Sequence, residues 1–171
     1  MTDVTGQALP EPKFIVRPAD ERDLVKILRI EKECFSDPWS VNVFRGAMSE
    51  PHSTVFVLVT PEDEIAGYAV VYVVLDEGSL DDIAVTEALR RQGGGGMLLR
   101  KALEYAREQG VKRFFLEVRE SNEKALKMYE KAGFKRLSVR KAYYQDPVED
   151  AAVMEIDLGK DRPGGTAASE V

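Results

Sequence analysis

The sequence predicts an α/β (α+β) domain built on a mixed central sheet of about seven strands flanked by about four helices. Apolar periodicity alternates along the chain between strand and helix spacing, and the segments run in the order strand, two helices, three strands, helix, strand, helix, two strands. No internal repeat is evident. At 171 residues with 44% hydrophobic content, the chain can bury one substantial core.

Each element has its own cause. Residues 1–12 contain two prolines and no apolar period, and residues 160–171 are too polar and glycine-rich to order themselves, so both read as disordered tails around a domain at 13–159. Phe14–Arg17 is a short strand. Asp20 can cap a helix whose apolar positions Leu24, Ile27, Leu28 and Cys34 face the core. A second helix follows Ser40, with Val43, Phe44, Ala47 and Met48 at helical spacing and Pro51 just beyond. Thr54–Thr60 and Ile65–Leu75 flank the turn Pro61-Glu62-Asp63-Glu64 as an antiparallel hairpin, and Ser79–Val85 adds a third strand. The run Gly93–Gly96 precedes a periodic helix through Leu98, Leu99, Ala102, Leu103 and Ala106, ending near Gly110. Arg113–Val118 is an apolar strand. Ser121 or Asn122 caps a helix through Ala132, where Gly133 supplies the stop, and the last strands lie near Lys135–Lys141 and Ala151–Leu158.

Composition narrows the function classes. A net charge of −6 disfavours nucleic acid as the main partner and suits a cationic one. The single cysteine cannot form an internal disulfide, and no leader or long apolar run marks export or membrane insertion, so a cytoplasmic location is expected. Cys34 follows a helical apolar pattern and reads as a small buried group. His52, the one histidine, sits in a Pro-His-Ser loop and reads as a solvated residue rather than a base or ligand, and no metal is expected.

The four glycines carry the first chemical signal. Between a strand and a helix they leave backbone N–H groups unshielded, and the helix start adds partial positive charge, which together make an anion cradle. A purely structural role does not explain four glycines at a helix start, where each costs about 1 kcal/mol relative to alanine. A nucleotide P-loop would place Lys and then Ser or Thr after the last glycine, but Met97 and Leu98 stand there. The dinucleotide fingerprint also fails, because its third glycine falls on Leu98 or Leu99.

The segment Arg90-Arg91-Gln92-Gly93-Gly94-Gly95 resembles the (Gln/Arg)-x-x-Gly-x-(Gly/Ala) signature of the GNAT acetyltransferases. Further segments are similar to RimI-type ribosomal-protein-alanine N-acetyltransferases and extend the resemblance over about 14–158. They are Asp82-Ile83-Ala84-Val85, Leu116 to Asn122, Ala125 to Phe134, Cys34 to Ser40, and Tyr143-Tyr144. The resemblance implies the GNAT fold and acetyl-CoA as co-substrate. By that likeness the backbone of Ile83, Ala84 and Val85 pairs with the pantetheine arm and an amide near Val85 polarises the thioester carbonyl. Arg91, Gln92, Gly93, Gly94, Gly95 and Gly96 hold the pyrophosphate, and Asn122 contacts the pantetheine, a role open beside that of a plain helix cap. The loop departs from the family in having glycine at Gly94 and Gly96, where larger residues are common.

Acetyl transfer to an amine requires one group to take a proton and another to give one to the departing thiolate. Glu117 interrupts the apolar strand, where a carboxyl facing a cleft would rise from about 4.3 toward the 6–7 range of a general base; the plainer reading is a strand-end glutamate paired with a cation such as Arg119. Tyr129 shares a helix side with Ala125, Leu126 and Ala132 and taken alone is a core aromatic; the family resemblance makes it the general acid.

At neutral pH an α-amine is unprotonated about 300 times more often than a lysine amine, which suits a simple base. The resemblance implies the N-terminal alanine of a small-subunit ribosomal protein, followed by basic residues, as acceptor. Asp76, Glu77, Asp81 and Asp82 can line its approach or merely solvate the surface. Neither nucleic acid nor membrane is an expected partner, and the chain is expected to be a monomer or weak dimer. Two alternatives stay open: a GNAT enzyme for another protein N-terminus, a lysine or a small amine, and a non-catalytic acyl-CoA-binding module.

Overall fold

The computed structural model describes residues 13–159; the tails expected at 1–12 and 160–171 lie outside the described residues. Seven strands form one sheet: β1 (Ile15–Pro18), β2 (Ser53–Val59), β3 (Ile65–Val74), β4 (Glu77–Val85), β5 (Arg113–Arg119), β6 (Lys135–Gln145) and β7 (Val148–Asp157). Their spatial order is β1-β2-β3-β4-β5-β7-β6, and only β4 and β5 run parallel. Four helices cover the sheet: α1 (Leu24–Cys34), α2 (Val41–Ser49), α3 (Gly94–Glu108) and α4 (Glu123–Lys131).

The strand alternation divides the interior into two layers. Val55, Val57 and Val59 join Leu24, Ile27, Ile30 and Phe44 under α1 and α2. Phe56 and Leu58 face the other way, toward Leu98, Leu99 and Ala102 of α3 and Leu126 and Tyr129 of α4.

Local signals place most boundaries. Ser40 and Asn122 accept hydrogen bonds from Val43 N–H and Ala125 N–H and start α2 and α4. Gly133, at φ 103°, ends the turn after α4. Asp20 caps a short 3₁₀ turn, Glu21–Asp23, and α1 begins only at Leu24. On α1 the fully buried residues are Leu24, Ile27, Ile30 and Glu31, while Leu28 and Cys34 are only partly covered. The final hairpin is longer than its apolar pattern indicates, because paired, largely exposed residues of β6 extend through Tyr144 and Gln145.

Two irregularities in the sheet shape the site. The β4–β5 pairing runs only from Glu77–Arg113 to Leu80–Leu116. Beyond it β4 keeps β3 as neighbour and β5 keeps β7, so the sheet opens into two arms. A bulge sits at the opening: Val71 pairs with Leu80 and Val70 with Asp82, leaving Asp81 as the extra residue. The bulge also reverses the alternation. Leu80 belongs to the α3 side, and Ala84, which without the bulge would share its face, belongs to the α1 side.

Candidate active site

The N-terminus of α3 lies beside the opening. Three of the four glycines, Gly94 to Gly96, are the first residues of the helix rather than a loop preceding it, and Gly93 is its left-handed cap at φ 85°. Arg91 is also left-handed, at φ 61°. The first-turn amides of a helix have no intrahelical acceptor, so those of Gly94, Gly95 and Gly96 are donors at the positive end of a 15-residue helix. Two of the glycines have a local reason of their own. Gly93 needs its backbone angle, and a Cβ on Gly94 would stand 2.5 Å from Leu58 Cδ2. At Gly96 an added Cβ would meet nothing within 4 Å, so the space over the helix start is open.

On the β4 arm, Ile83 and Val85 pack their side chains against the α3-side core and Ala84 faces the α1 side. Their edge toward β5 is unpaired among the described residues. Such a free edge beside a helix N-terminus fits an extended pantetheine arm leading to a pyrophosphate.

Glu117 lies on the β5 arm just past the last β4 contact. Its surroundings are not the apolar cleft expected of it: Arg140 Nε stands 2.8 Å from its Oε1, and the Tyr143 hydroxyl hydrogen-bonds it. That bond, with burial and the carboxylate charge, holds the Tyr143 phenol above its ordinary pKa. The cation expected to neutralise Glu117, Arg119, instead binds Glu149 and the carbonyls of Asp146 and Pro147, clamping the β6–β7 turn. Ser36 Oγ donates to the same Asp146 carbonyl, so the segment before α2 and this turn form one wall.

Tyr129 is 4% exposed and T-stacked on Phe134 at 5.8 Å. Burial, followed by the charges of Tyr144 and Asp82, pushes its phenol well above the ordinary value. The packed ring agrees with the core reading, and the charges of Tyr144 and Asp82 act on the hydroxyl. Among the described residues that hydroxyl has no hydrogen-bond partner, and no polar side-chain atom fully shut from solvent lacks one, so the oxygen meets the cleft. Asn122 caps α4 through Oδ1, 3.2 Å from Ala125 N.

The four acidic residues expected to line the approach separate. Asp76 and Glu77 pair with Lys112 and Arg113 at the far end of β4, whereas Asp81 and Asp82 stand at the opening. Burial and then the Glu117 charge raise the Asp81 carboxyl, although it remains largely exposed. Asp82 turns toward α1, where the Tyr68 hydroxyl donates to Glu31 and lies 3.2 Å from Asp82 Oδ2. Burial, then the charge of Glu31, pushes Asp82 up to about 8. Glu31 also accepts the Trp39 backbone N–H at 2.7 Å. Sequence reasoning missed Glu31, although it falls on the apolar stripe of α1. It also missed Tyr68 and Arg140, for which no local signal exists.

Cys34 is half-buried, with Sγ 3.1 Å from an Arg90 nitrogen, and burial raises its thiol. His52 stacks edge-on to Tyr72 at 6.1 Å. Among the described residues no metal-ligating cluster exists and no helix is long and apolar enough to cross a membrane.

A seven-stranded mixed sheet opened between two parallel strands, with a glycine-rich helix start at the opening, defines an acetyl-CoA-dependent N-acetyltransferase. The chain belongs to the acetyltransferase (GNAT) family, whose model matches residues 22–134. It is similar to the [ribosomal protein bS18]-alanine N-acetyltransferase of Salmonella typhimurium, at 36% identity over 80% of this chain and 92% of that one. The Escherichia coli K12 protein of the same name is 35% identical over the same shares. Among solved structures, the ribosomal-protein-S18-alanine N-acetyltransferase from Escherichia coli superposes with a TM-score of 0.78 at 31% identity, covering 88% of this chain and 99% of that one. Ard1 from Thermoplasma volcanium gives 0.77 at 25% identity over 85% and 98%.

Proposed function

We propose that the chain acetylates the α-amine of a protein N-terminus, the N-terminal alanine of ribosomal protein bS18, with Glu117 as general base and Tyr129 as general acid. The observation that carries this reading is the disposition of the two groups. Glu117 stands on one arm of the opening, and a buried phenol with a partnerless hydroxyl faces the same cleft from α4. Relatives bearing the bS18-alanine name over nearly their full length support the acceptor.

Acetyl-CoA, when bound, supplies an activated acyl group on a thiol leaving group. The amides of Gly94, Gly95 and Gly96, together with those of Arg91, Gln92 and Gly93, would hold its pyrophosphate. The free edge at Ile83, Ala84 and Val85 would align its arm, and the Asn122 amide nitrogen, uncommitted by the cap, would contact it. Glu117 takes a proton from the attacking amine. Arg140 and Tyr143 orient its carboxyl group. Tyr129 stays protonated through the neutral range because burial disfavours its anion, so it has a proton to give.

The test is acetylation of peptides followed by mass spectrometry. An Ala-starting basic peptide should be acetylated at its α-amine only. Equal or greater modification of a lysine side chain would sink the acceptor assignment, and acetyl-CoA binding without turnover on any amine would favour a non-catalytic module.

A further inference from the structure

The β4 arm has no strand beside it past Leu80, yet its last residue is held on that side by side chains. Hydrogen-bonded pairs alternate along an antiparallel ladder. Thr86 N–H donates to the Ala66 carbonyl at 2.8 Å, so the adjacent residue Val85, in register with Gly67, directs its own N–H and C=O away from β3 to the free edge. Arg90 Nε donates to that Val85 carbonyl at 3.0 Å, and Cys34 Sγ lies 3.6 Å from it. A second guanidinium nitrogen, Nη2, stands 3.1 Å from Cys34 Sγ, so the three groups form a closed triangle.

The backbone is shaped to deliver this contact. A 3₁₀ turn, Glu87–Leu89, reverses the chain after β4 and brings the Arg90 side chain back onto Val85, five residues earlier. The last turn of α1 secures the same segment, because the Glu33 carboxylate accepts the Glu87 N–H at 2.6 Å and the Thr86 hydroxyl at 3.0 Å. Arg91 then takes its left-handed angle, and the chain leaves for Gly93–Gly96. The Arg90 guanidinium thus bonds the sheet and α1, behind the helix start rather than over it.

We propose that Arg90 is a positioning residue for acetyl transfer: by holding the Val85 carbonyl it fixes the end of the β4 arm, and with it the Val85 N–H that the free edge presents to acetyl-CoA. The two groups belong to peptide planes that meet at the Val85 Cα, so a carbonyl tethered by a charge-assisted bond restrains the N–H beside it. The bond does at this position what a neighbouring strand does elsewhere in the sheet. The inference rests on the reading that the free edge aligns the cofactor arm, and it adds that a side chain outside the glycine cradle sets that edge.

The test separates the two ends of the cofactor. Calorimetry on the full chain compares CoA with 3′-phosphoadenosine 5′-diphosphate, which carries the pyrophosphate but no pantetheine. The wild type should bind CoA more tightly. Arg90→Met keeps the aliphatic stem and lacks the donor; it should shrink that advantage about tenfold, the scale of one hydrogen bond to a charged group, and leave affinity for the diphosphate within about twofold. Release of CoA thiol with an Ala-starting basic peptide should show a fall of about the same size in kcat at saturating acetyl-CoA. Arg90→Gln puts an amide nitrogen the same number of bonds from Cα as the arginine Nε, and should recover most of both losses without the charge. An equal fall in affinity for both ligands would make Arg90 a phosphate contact and overturn the inference, as would a glutamine variant that recovers neither loss. A wild type that binds CoA no more tightly than the diphosphate sinks the reading of the free edge together with this inference, whereas an advantage that survives Arg90→Met sinks the inference alone. Absence of turnover on any peptide sinks the acceptor assignment and leaves calorimetry to decide the role of Arg90.

Discussion

Replacing Tyr129 by phenylalanine separates the two jobs of this side chain. The ring is 4% exposed and stacks on Phe134, but the hydroxyl has no partner among the described residues. Removing the oxygen therefore orphans no buried group, and stability in urea should change by less than about 0.5 kcal/mol. Tyr129→Ala, by contrast, deletes the packed ring and should cost about 3–5 kcal/mol through the cavity it leaves. Loss of a positioned general acid lowers turnover by about 10²–10⁴-fold. Release of CoA thiol, followed colorimetrically at saturating acetyl-CoA and peptide, should show that fall for Tyr129→Phe with calorimetric acetyl-CoA affinity unchanged. A kcat within threefold of wild type would remove the phenol from the mechanism. A stability loss above about 1.5 kcal/mol would show that the hydroxyl is structural.

Glu117→Gln should lower kcat/KM by about 10²–10³-fold while leaving acetyl-CoA binding intact, measured by the same thiol assay. Gly67→Ala places a Cβ 2.5 Å from the Ala84 carbonyl oxygen, a backbone atom of the β4 arm that cannot rotate away. Urea unfolding should show a loss of about 1–3 kcal/mol, and CoA affinity should fall because the free edge is displaced. Asp82 is raised in the folded state, so the native protein holds more protons than the unfolded chain between the ordinary aspartate range and about 8. Its contribution to stability is present at low pH and declines as pH rises through that window, by at most about 1.4 kcal/mol per pH unit. The stability of Asp82→Asn relative to wild type, taken from urea curves at pH 5 to 8, should therefore increase with pH, and a flat difference would refute the shift.

Much of the sheet was legible because its strands are short apolar runs bounded by turn residues. Ser40, Asn122 and Gly133 announce helix ends through chemistry that acts within four residues. The β6–β7 hairpin was read short because its distal pairs join exposed and half-exposed residues such as Tyr144 and Glu149, which carry no apolar period. The same blindness hid Arg140, whose role depends on lying across β7 from the β5 arm.

The reading of Gly93–Gly96 as an anion cradle and the candidacy of Glu117 came from the sequence, since glycine spacing and a charge in an apolar strand are local properties, whereas helical period alone made Tyr129 a core aromatic and only the family resemblance made it a candidate acid. Only the tertiary structure decided where the sheet opens, that Asp81 is a bulge, and that Asp82 meets Glu31 and Tyr68 while Asp76 and Glu77 point elsewhere. Those outcomes are set by strand register and by pairing between residues dozens of positions apart. A single-residue bulge reverses the face that every later side chain presents, and no local pattern records it.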